Sequence, residues 1–158
     1  MTRRPILLCL AALAAAGAAA LPIAAGSAQT QPTTIVLTYA KPDKTFIDDV
    51  APRTLKRGRL TMGDRIVSTQ NVKIDGKVAG TLQFDTTITN RKPQPWSRFT
   101  ATLRSTLVLK DGELFGVGYV DAARGKERAT IVGGTGAYSG ATGTVVGSEN
   151  GAVITLGS

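Results

Sequence analysis

From Phe99 to Lys110 the chain alternates. Phe99, Ala101, Leu103, Ser105, Leu107 and Leu109 share one side, Thr100, Thr102, Arg104, Thr106 and Lys110 the other, and Val108 alone is out of phase. Period two puts successive side chains on opposite sides of an extended backbone, so it predicts a strand with one buried face. Thr81 to Thr89 repeats it, with Leu82, Phe84 and Ile88 opposite Gln83, Asp85 and Thr87. Extended this way, the pattern predicts eight strands near 33–40, 64–74, 79–89, 98–110, 113–121, 127–133, 141–147 and 151–157, and no segment carries a helical period. Asp75-Gly76, Asp111-Gly112 and Asn150-Gly151 are dipeptides that tolerate positive φ in two-residue hairpin loops, which implies an antiparallel meander. Such strands close into an all-β, eight-stranded, up-and-down barrel, which removes exposed edges and leaves an interior just wide enough for one small ligand. A two-sheet sandwich is the other architecture compatible with the pattern.

The start of the chain follows a different rule. Arg3 and Arg4 precede an apolar run from Ile6 to Ala25 that ends in Gly26-Ser27-Ala28, the layout of a secretory signal cut between Ala28 and Gln29. Residues 1–28 therefore read as a signal peptide and 29–158 as one barrel domain of a secreted protein. A retained membrane anchor is the competing reading, but alanine is weakly apolar and the flank is cleavable. Thr2-Arg3-Arg4 leaves the export route open between the ordinary and twin-arginine systems. After cleavage no stable membrane insertion is expected.

Removing that segment changes the chemistry available. The only cysteine, Cys9, goes with it and the chain has no histidine, so disulfides, thiolate nucleophiles, imidazole bases and the usual zinc and haem ligands are all excluded from the mature domain. No cofactor and no metal is expected. Without Arg3 and Arg4, 17 Lys and Arg remain against 11 Asp and Glu, a net charge of about +6. The densest basic stretch, Arg53 to Arg59 with Arg65 after it, reads as a solvated loop leading into the barrel. The other reading is contact with phosphate, anionic lipid or a cell-wall polymer. No aromatics interleave with it and the chain is exported, so nucleic acid is not expected as a partner.

Ile131 to Val146, IVGGTGAYSGATGTVV, is the most distinctive segment. A phosphate cradle would need a helix directly after its glycines, and Ala141 to Val146 instead alternates small and β-branched residues as a strand does. The glycines therefore predict a tight turn with close strand approach. This apolar strand, GGTG, aromatic and small-residue strand resembles the signature of the dirigent and allene oxide cyclase barrels. The resemblance covers roughly Phe46 to Thr155 and includes Phe46-Ile47-Asp48-Asp49, Met62-Gly63-Asp64, Gly80 and Leu109-Lys110-Asp111-Gly112-Glu113 in the order of secreted bacterial relatives. It implies a barrel that is commonly trimeric and that holds a small hydrophobic or phenolic molecule, steering its cyclisation or stereoselective coupling. A non-catalytic carrier barrel is the alternative. Catalysis would then be of cyclase or dirigent type, with no metal and no covalent nucleophile, because confining a reactive substrate in one shape already offsets much activation entropy.

Candidate site residues follow from position. Asp49 and Asp64 flank the long connection at the expected barrel mouth, where a carboxylate meets substrate or simply holds a turn. Tyr119 shares a strand face with Phe115 and Val117, so its hydroxyl either reaches the cavity or completes the core. These three are the catalytic candidates. Asp85 and Arg104 lie on the polar faces of their strands, either in a polar pocket or as an ion pair on the outer wall. Trp96, after Pro93 and Pro95, anchors a loop or forms a lid, and Tyr138 caps the barrel at the glycine turn. With Asp85 and Arg104 they make the substrate-binding set.

Overall fold

The computed structural model describes residues 33–157. The expected signal segment, 1–28, lies outside the described residues. Eleven strands follow in order: β1 Thr33–Tyr39, β2 Lys44–Asp48, β3 Arg59–Leu60, β4 Arg65–Ile74, β5 Lys77–Ile88, β6 Gln94–Pro95, β7 Thr100–Leu109, β8 Gly112–Asp121, β9 Lys126–Gly134, β10 Gly143–Ser148 and β11 Gly151–Leu156. Among the described residues the only helical pieces are three single 3-10 turns.

Eight of these strands form a closed antiparallel barrel in the order β1-β11-β10-β9-β8-β7-β5-β4, with β4 returning to β1 through Thr38 opposite Lys73 and Tyr39 opposite Val72. The eight are the segments the alternation predicts. The sandwich is thereby excluded. β2 resumes where β1 leaves off: the Ala40 N–H donates to the Asn71 carbonyl at 2.9 Å and the Asp43 N–H to the Thr69 carbonyl at 2.9 Å, after which Lys44 to Asp48 pair with Thr69 to Arg65. The sequence predicts only a connection here, because five residues around Phe46-Ile47 are too few to display a period. β3 and β6 form a separate two-stranded clasp, Arg59 opposite Pro95 and Leu60 opposite Gln94.

The inward phase is the predicted one. Ala101, Leu103 and Leu107 on β7 and Leu82 and Ile88 on β5 are buried, while Arg104 and Gln83 face solvent. Two hydrophobic clusters fill the barrel. The larger, Leu37, Val72, Leu82, Leu107, Leu114, Ile131, Ile154 and Leu156, occupies the end closed by the glycine turn. The smaller, Leu60, Ile88 and Ala101 with Leu55, Ile66, Phe99 and Val120 against it, lies under the long connections at the opposite end, called the mouth below.

Of the three predicted hairpins, β4–β5 turns on Asp75 at φ 51° and Gly76 at φ 76°, the positive-φ pair expected. The other two are displaced by one residue. Leu109 pairs with Gly112 and Ser148 with Gly151, so the loops are Lys110-Asp111 and Glu149-Asn150 and the glycine opens the next strand. After Gly134 the chain makes one 3-10 turn, Gly136–Tyr138, and then extends into β10. No helix follows the glycines, as the strand reading requires. Tyr138 packs against the larger core cluster and closes that end of the barrel.

Candidate functional site at the barrel mouth

A barrel of eight strands has an interior whose free space depends on side-chain volume. Here Leu37, Leu82, Phe84, Leu107, Leu114 and Ile131 point into it, and the void they leave is about 20 Å³. That is room for about one water molecule. The expectation of a ligand inside the barrel is therefore corrected: large aliphatic side chains at the inward positions fill the space that a ligand would need.

Larger spaces lie outside it, an open groove of about 760 Å³ on the outer wall and a cleft at the mouth. A cleft of about 480 Å³ is bounded by Trp96 and Phe99 ahead of β7, Val120 to Ala122 at the end of β8, Gly125 to Glu127 at the start of β9, and Ser148-Glu149 at the β10–β11 turn. This volume is in the range of small-molecule sites. Trp96 meets Phe99 edge to face, with centroids 6.3 Å apart and planes at 85°. Phe99 also packs on the smaller core cluster, so the wall is anchored from below. Asp121 is held by Arg124 at 3.2 Å, three residues along.

Glu127 joins the cleft to the interior, lining both the mouth and the small void. Its position follows from strand phase, since Glu127, Ala129 and Ile131 share the inward face of β9. The register sets it between Val120 on β8 and Gly147 on β10. A Cβ at Gly147 would lie 2.6 Å from the Glu127 Cδ, so only glycine leaves the side chain its path. Below it, Tyr39 meets Phe84 edge to face at 6.0 Å. Burial holds the Glu127 carboxyl above the ordinary glutamate range. Burial, and then the Glu127 charge, push the Tyr39 hydroxyl above its usual value. The arrangement can donate or accept one proton beside an aromatic wall.

A raised carboxyl pKa has a fixed consequence for stability. The folded state holds the proton more tightly than the unfolded state, so this group's favourable contribution is full below the unfolded value of about 4, and is lost as pH climbs through the raised folded value. Glu127→Gln, which cannot ionise, is expected to match the parent near pH 4 and to become more stable than it by pH 8. Urea midpoints at pH 4, 6 and 8 measure this; a constant difference across that range refutes it.

The residues expected from sequence are not gathered at one place. Asp64 and Trp96 lie at the mouth as expected, with Asp49 half-buried at the end of β2. Asp64 is fully buried; its Oδ1 accepts the Val50 N–H at 3.0 Å and its Oδ2 the Thr61 N–H at 2.7 Å. Both oxygens are spent on backbone, which makes it a fastener of the long connection and not a catalytic candidate. Asp49 accepts a long contact, 3.4 Å, from the Leu55 N–H and does not line the cleft. Tyr119 is corrected: it faces outward at 46% exposure, because the inward positions of β8 are Leu114, Gly116, Gly118 and Val120. Neither of its expected roles, in the cavity or in the core, survives.

Asp85 and Arg104 also stand on the outer wall, directly opposite each other on β5 and β7. The bidentate partner of Asp85 is Arg65 on β4, Nε to Oδ1 at 2.8 Å and Nη2 to Oδ2 at 2.6 Å. That hydrogen bond is the main cause that lowers the Asp85 pKa. These residues with Thr87, Thr102 and Val117 line an open groove on the outer wall. Tyr138 is at the far, closed end. Trp96 alone of the expected set lines the cleft. Glu127 and Phe99 were missed as site residues; the signal available was a carboxylate in phase with Ala129 and Ile131 at the start of a strand.

Fold and site together define a small closed antiparallel β-barrel with a filled interior and an aromatic cleft at one end. No family model matches the chain, and no curated protein matches it. Among solved structures the chain is similar to pyocyanin demethylase, with TM-score 0.66 and 21% identity over 78% of this chain and 99% of that one. It is also aligned with the crystal structure of the Diels Alderase AbmU from Streptomyces koyangensis, with TM-score 0.48 and 15% identity over 79% of this chain and 62% of that one. The first likeness shows the barrel fold.

Proposed function

We propose that this chain is an exported small-molecule barrel that takes an aromatic or apolar ligand in the mouth cleft, with Glu127 as the proton-transfer group for a cyclisation or coupling of dirigent or allene oxide cyclase type. The observation that carries the reading is a carboxylate with raised pKa set between the Trp96–Phe99 wall and the Tyr39–Phe84 pair. A carboxyl whose pKa is raised by burial is a better general acid to a carbonyl or ether oxygen than a solvated one is, and its conjugate base serves the return step. Ordering of the substrate against the aromatic wall supplies the rest, by holding reacting atoms near one another. A homo-oligomer fits the same reading. Val36, Val153 and Val146 form an uncharged exposed row across β1, β11 and β10, bordered by Thr34, Thr155 and Thr144.

Trp96 is the only tryptophan of the chain, so its emission reports the cleft. Saturable quenching by a planar phenol such as 1-naphthol is expected, and loss of that quenching in Ala122→Leu, which enlarges a side chain lining the cleft without adding a second tryptophan. Native mass spectrometry of the protein from its own host reads retained ligand and subunit number together. Quenching that is absent, or unchanged in Ala122→Leu, ends the proposal. Absence of turnover of the retained compound leaves the barrel a carrier, and turnover unaffected by Glu127→Gln removes Glu127 as the proton-transfer group.

A further inference from the structure

The basic stretch from Arg53 to Arg59 takes no part in the cleft, and the fold brings it a partner. The β3–β6 clasp sets it against the segment Arg91 to Arg98, and the Arg59 Nη1 donates to the Pro93 carbonyl at 3.4 Å. Asn90 pins the two loops from beneath, its Nδ2 donating to the Leu60 carbonyl at 3.1 Å and to the Lys92 carbonyl at 2.7 Å. Arg53, Lys56, Arg57, Arg59, Arg91, Lys92 and Arg98 are thereby gathered at the mouth end, all exposed. Among the described residues none of the seven is in an ion pair; the two recorded involve Arg65 and Arg124.

The same end carries large apolar side chains that the core does not use. Met62 is 51% exposed in the turn before Asp64, Trp96 is 43% exposed in the second basic loop, and Phe46 is 64% exposed on β2. A cationic collar alone fits any polyanion. Cations interspersed with an exposed tryptophan, methionine and phenylalanine fit a surface that is anionic outside and apolar just beneath, which describes a phospholipid leaflet. Free polyanions offer nothing to Met62 or Phe46.

We infer that the mouth end of the barrel docks peripherally on an anionic phospholipid surface, with the collar on the headgroups and Met62, Trp96 and Phe46 at the acyl boundary. Docking in this orientation turns the cleft toward the membrane, where apolar molecules partition. The surface does not depend on what the cleft binds or on whether Glu127 transfers a proton.

The test is cosedimentation of the mature protein with phosphatidylcholine vesicles containing a quarter phosphatidylglycerol, against pure phosphatidylcholine vesicles. Binding is expected only to the anionic vesicles, falling steeply when salt is raised. Neutralising four exposed cations outside the cleft, Lys56→Gln, Arg57→Gln, Arg91→Gln and Lys92→Gln together, is expected to lower partitioning roughly a hundredfold or more. Met62→Ser should lower it about fivefold, as loss of a buried apolar anchor does. Circular dichroism checks that both variants keep the strand signal. Equal binding to neutral vesicles, no binding to either, or an unaffected quadruple variant overturns the inference. So does binding of inorganic polyphosphate without vesicle binding, which would assign the collar to a free polyanion. Phenol quenching of Trp96 is measured without vesicles, so failure of the ligand reading and failure of the docking surface are separate results.

Discussion

Asp64→Ala is expected to cost about 3–5 kcal/mol of unfolding free energy, from two hydrogen bonds lost at a fully buried side chain and two half-buried N–H groups left unpaired. Asp64 is fully buried, and its two oxygens hold Val50 and Thr61 on opposite sides of the turn. Its own backbone continues the tie, because the Ile88 N–H donates to the Asp64 carbonyl at 2.9 Å and the Gly63 N–H to the Ile88 carbonyl at 2.9 Å. The carboxylate thus joins the long connection to the end of β5. Without it, the cover over Leu60 and Ile88 is released and the smaller core cluster opens to water. Thermal unfolding should show a midpoint lowered by about 10–20 °C for a domain of this size. Asp64→Asn keeps one acceptor but turns an amide donor toward a backbone donor, and is expected to lie between the two. A midpoint within 2 °C of the parent for Asp64→Ala would reject the fastening role and return Asp64 to the catalytic candidates.

Gly136→Val should be comparably damaging at the other end of the barrel, by about 3–5 kcal/mol, combining a left-handed backbone with a steric collision. Gly136 has φ 58°, a region that β-branched residues avoid, and a Cβ there would lie 2.3 Å from the Asp111 carbonyl oxygen. The neighbouring Ala137 N–H donates to that same carbonyl at 2.8 Å, so the turn cannot retreat without giving up the bond. Gly112 meets it from the opposite side, its φ at 149° and its Cβ position 2.1 Å from the Thr135 carbonyl oxygen. Two backbone turns are pressed together, and Tyr138 is carried onto the core by their contact. Denaturant unfolding measures the loss. Gly140→Ala is the control, since its φ of 75° is strained but nothing lies within 4 Å of its Cβ position, and about 1 kcal/mol is expected. Equal losses for the two variants would show that strain alone, and not the close approach, accounts for the motif.

The barrel was legible because its information is local. Alternation in Thr81–Thr89 and Phe99–Lys110 selects which side chains turn inward, and eight such segments joined by short turns leave few ways to remove their edges. The glycine segment was legible for the same reason, since a strand pattern after GGTG excludes a phosphate-binding helix wherever the rest of the chain goes. The short β2, β3 and β6 were not legible, because two to five residues show no period and their pairing is set by partners far away in sequence.

The site was harder to read. Polar residues were judged by chemistry and by nearness to a turn, which favoured Asp49, Asp64 and Tyr119, whereas the cleft is set by phase and by distance in space. Glu127 is unremarkable between Lys126 and Arg128 until strand pairing places Val120 and Gly147 on either side and Trp96 and Phe99 above. Asp85 was expected to find Arg104, directly opposite; Arg65 on the other neighbouring strand takes it instead because its guanidinium meets both oxygens at once.

Pattern by itself determined which faces are buried and that the sheet is antiparallel, and composition determined that histidine and thiol chemistry play no part after Cys9. Only tertiary structure decided how much room remains. Whether inward side chains fill a ring or leave it hollow depends on their summed volume against its circumference, and here they leave about 20 Å³. The same closure sets Glu127 half-buried between the aromatic wall and the interior and draws two basic loops together at that end, neither of which any local stretch of the chain encodes.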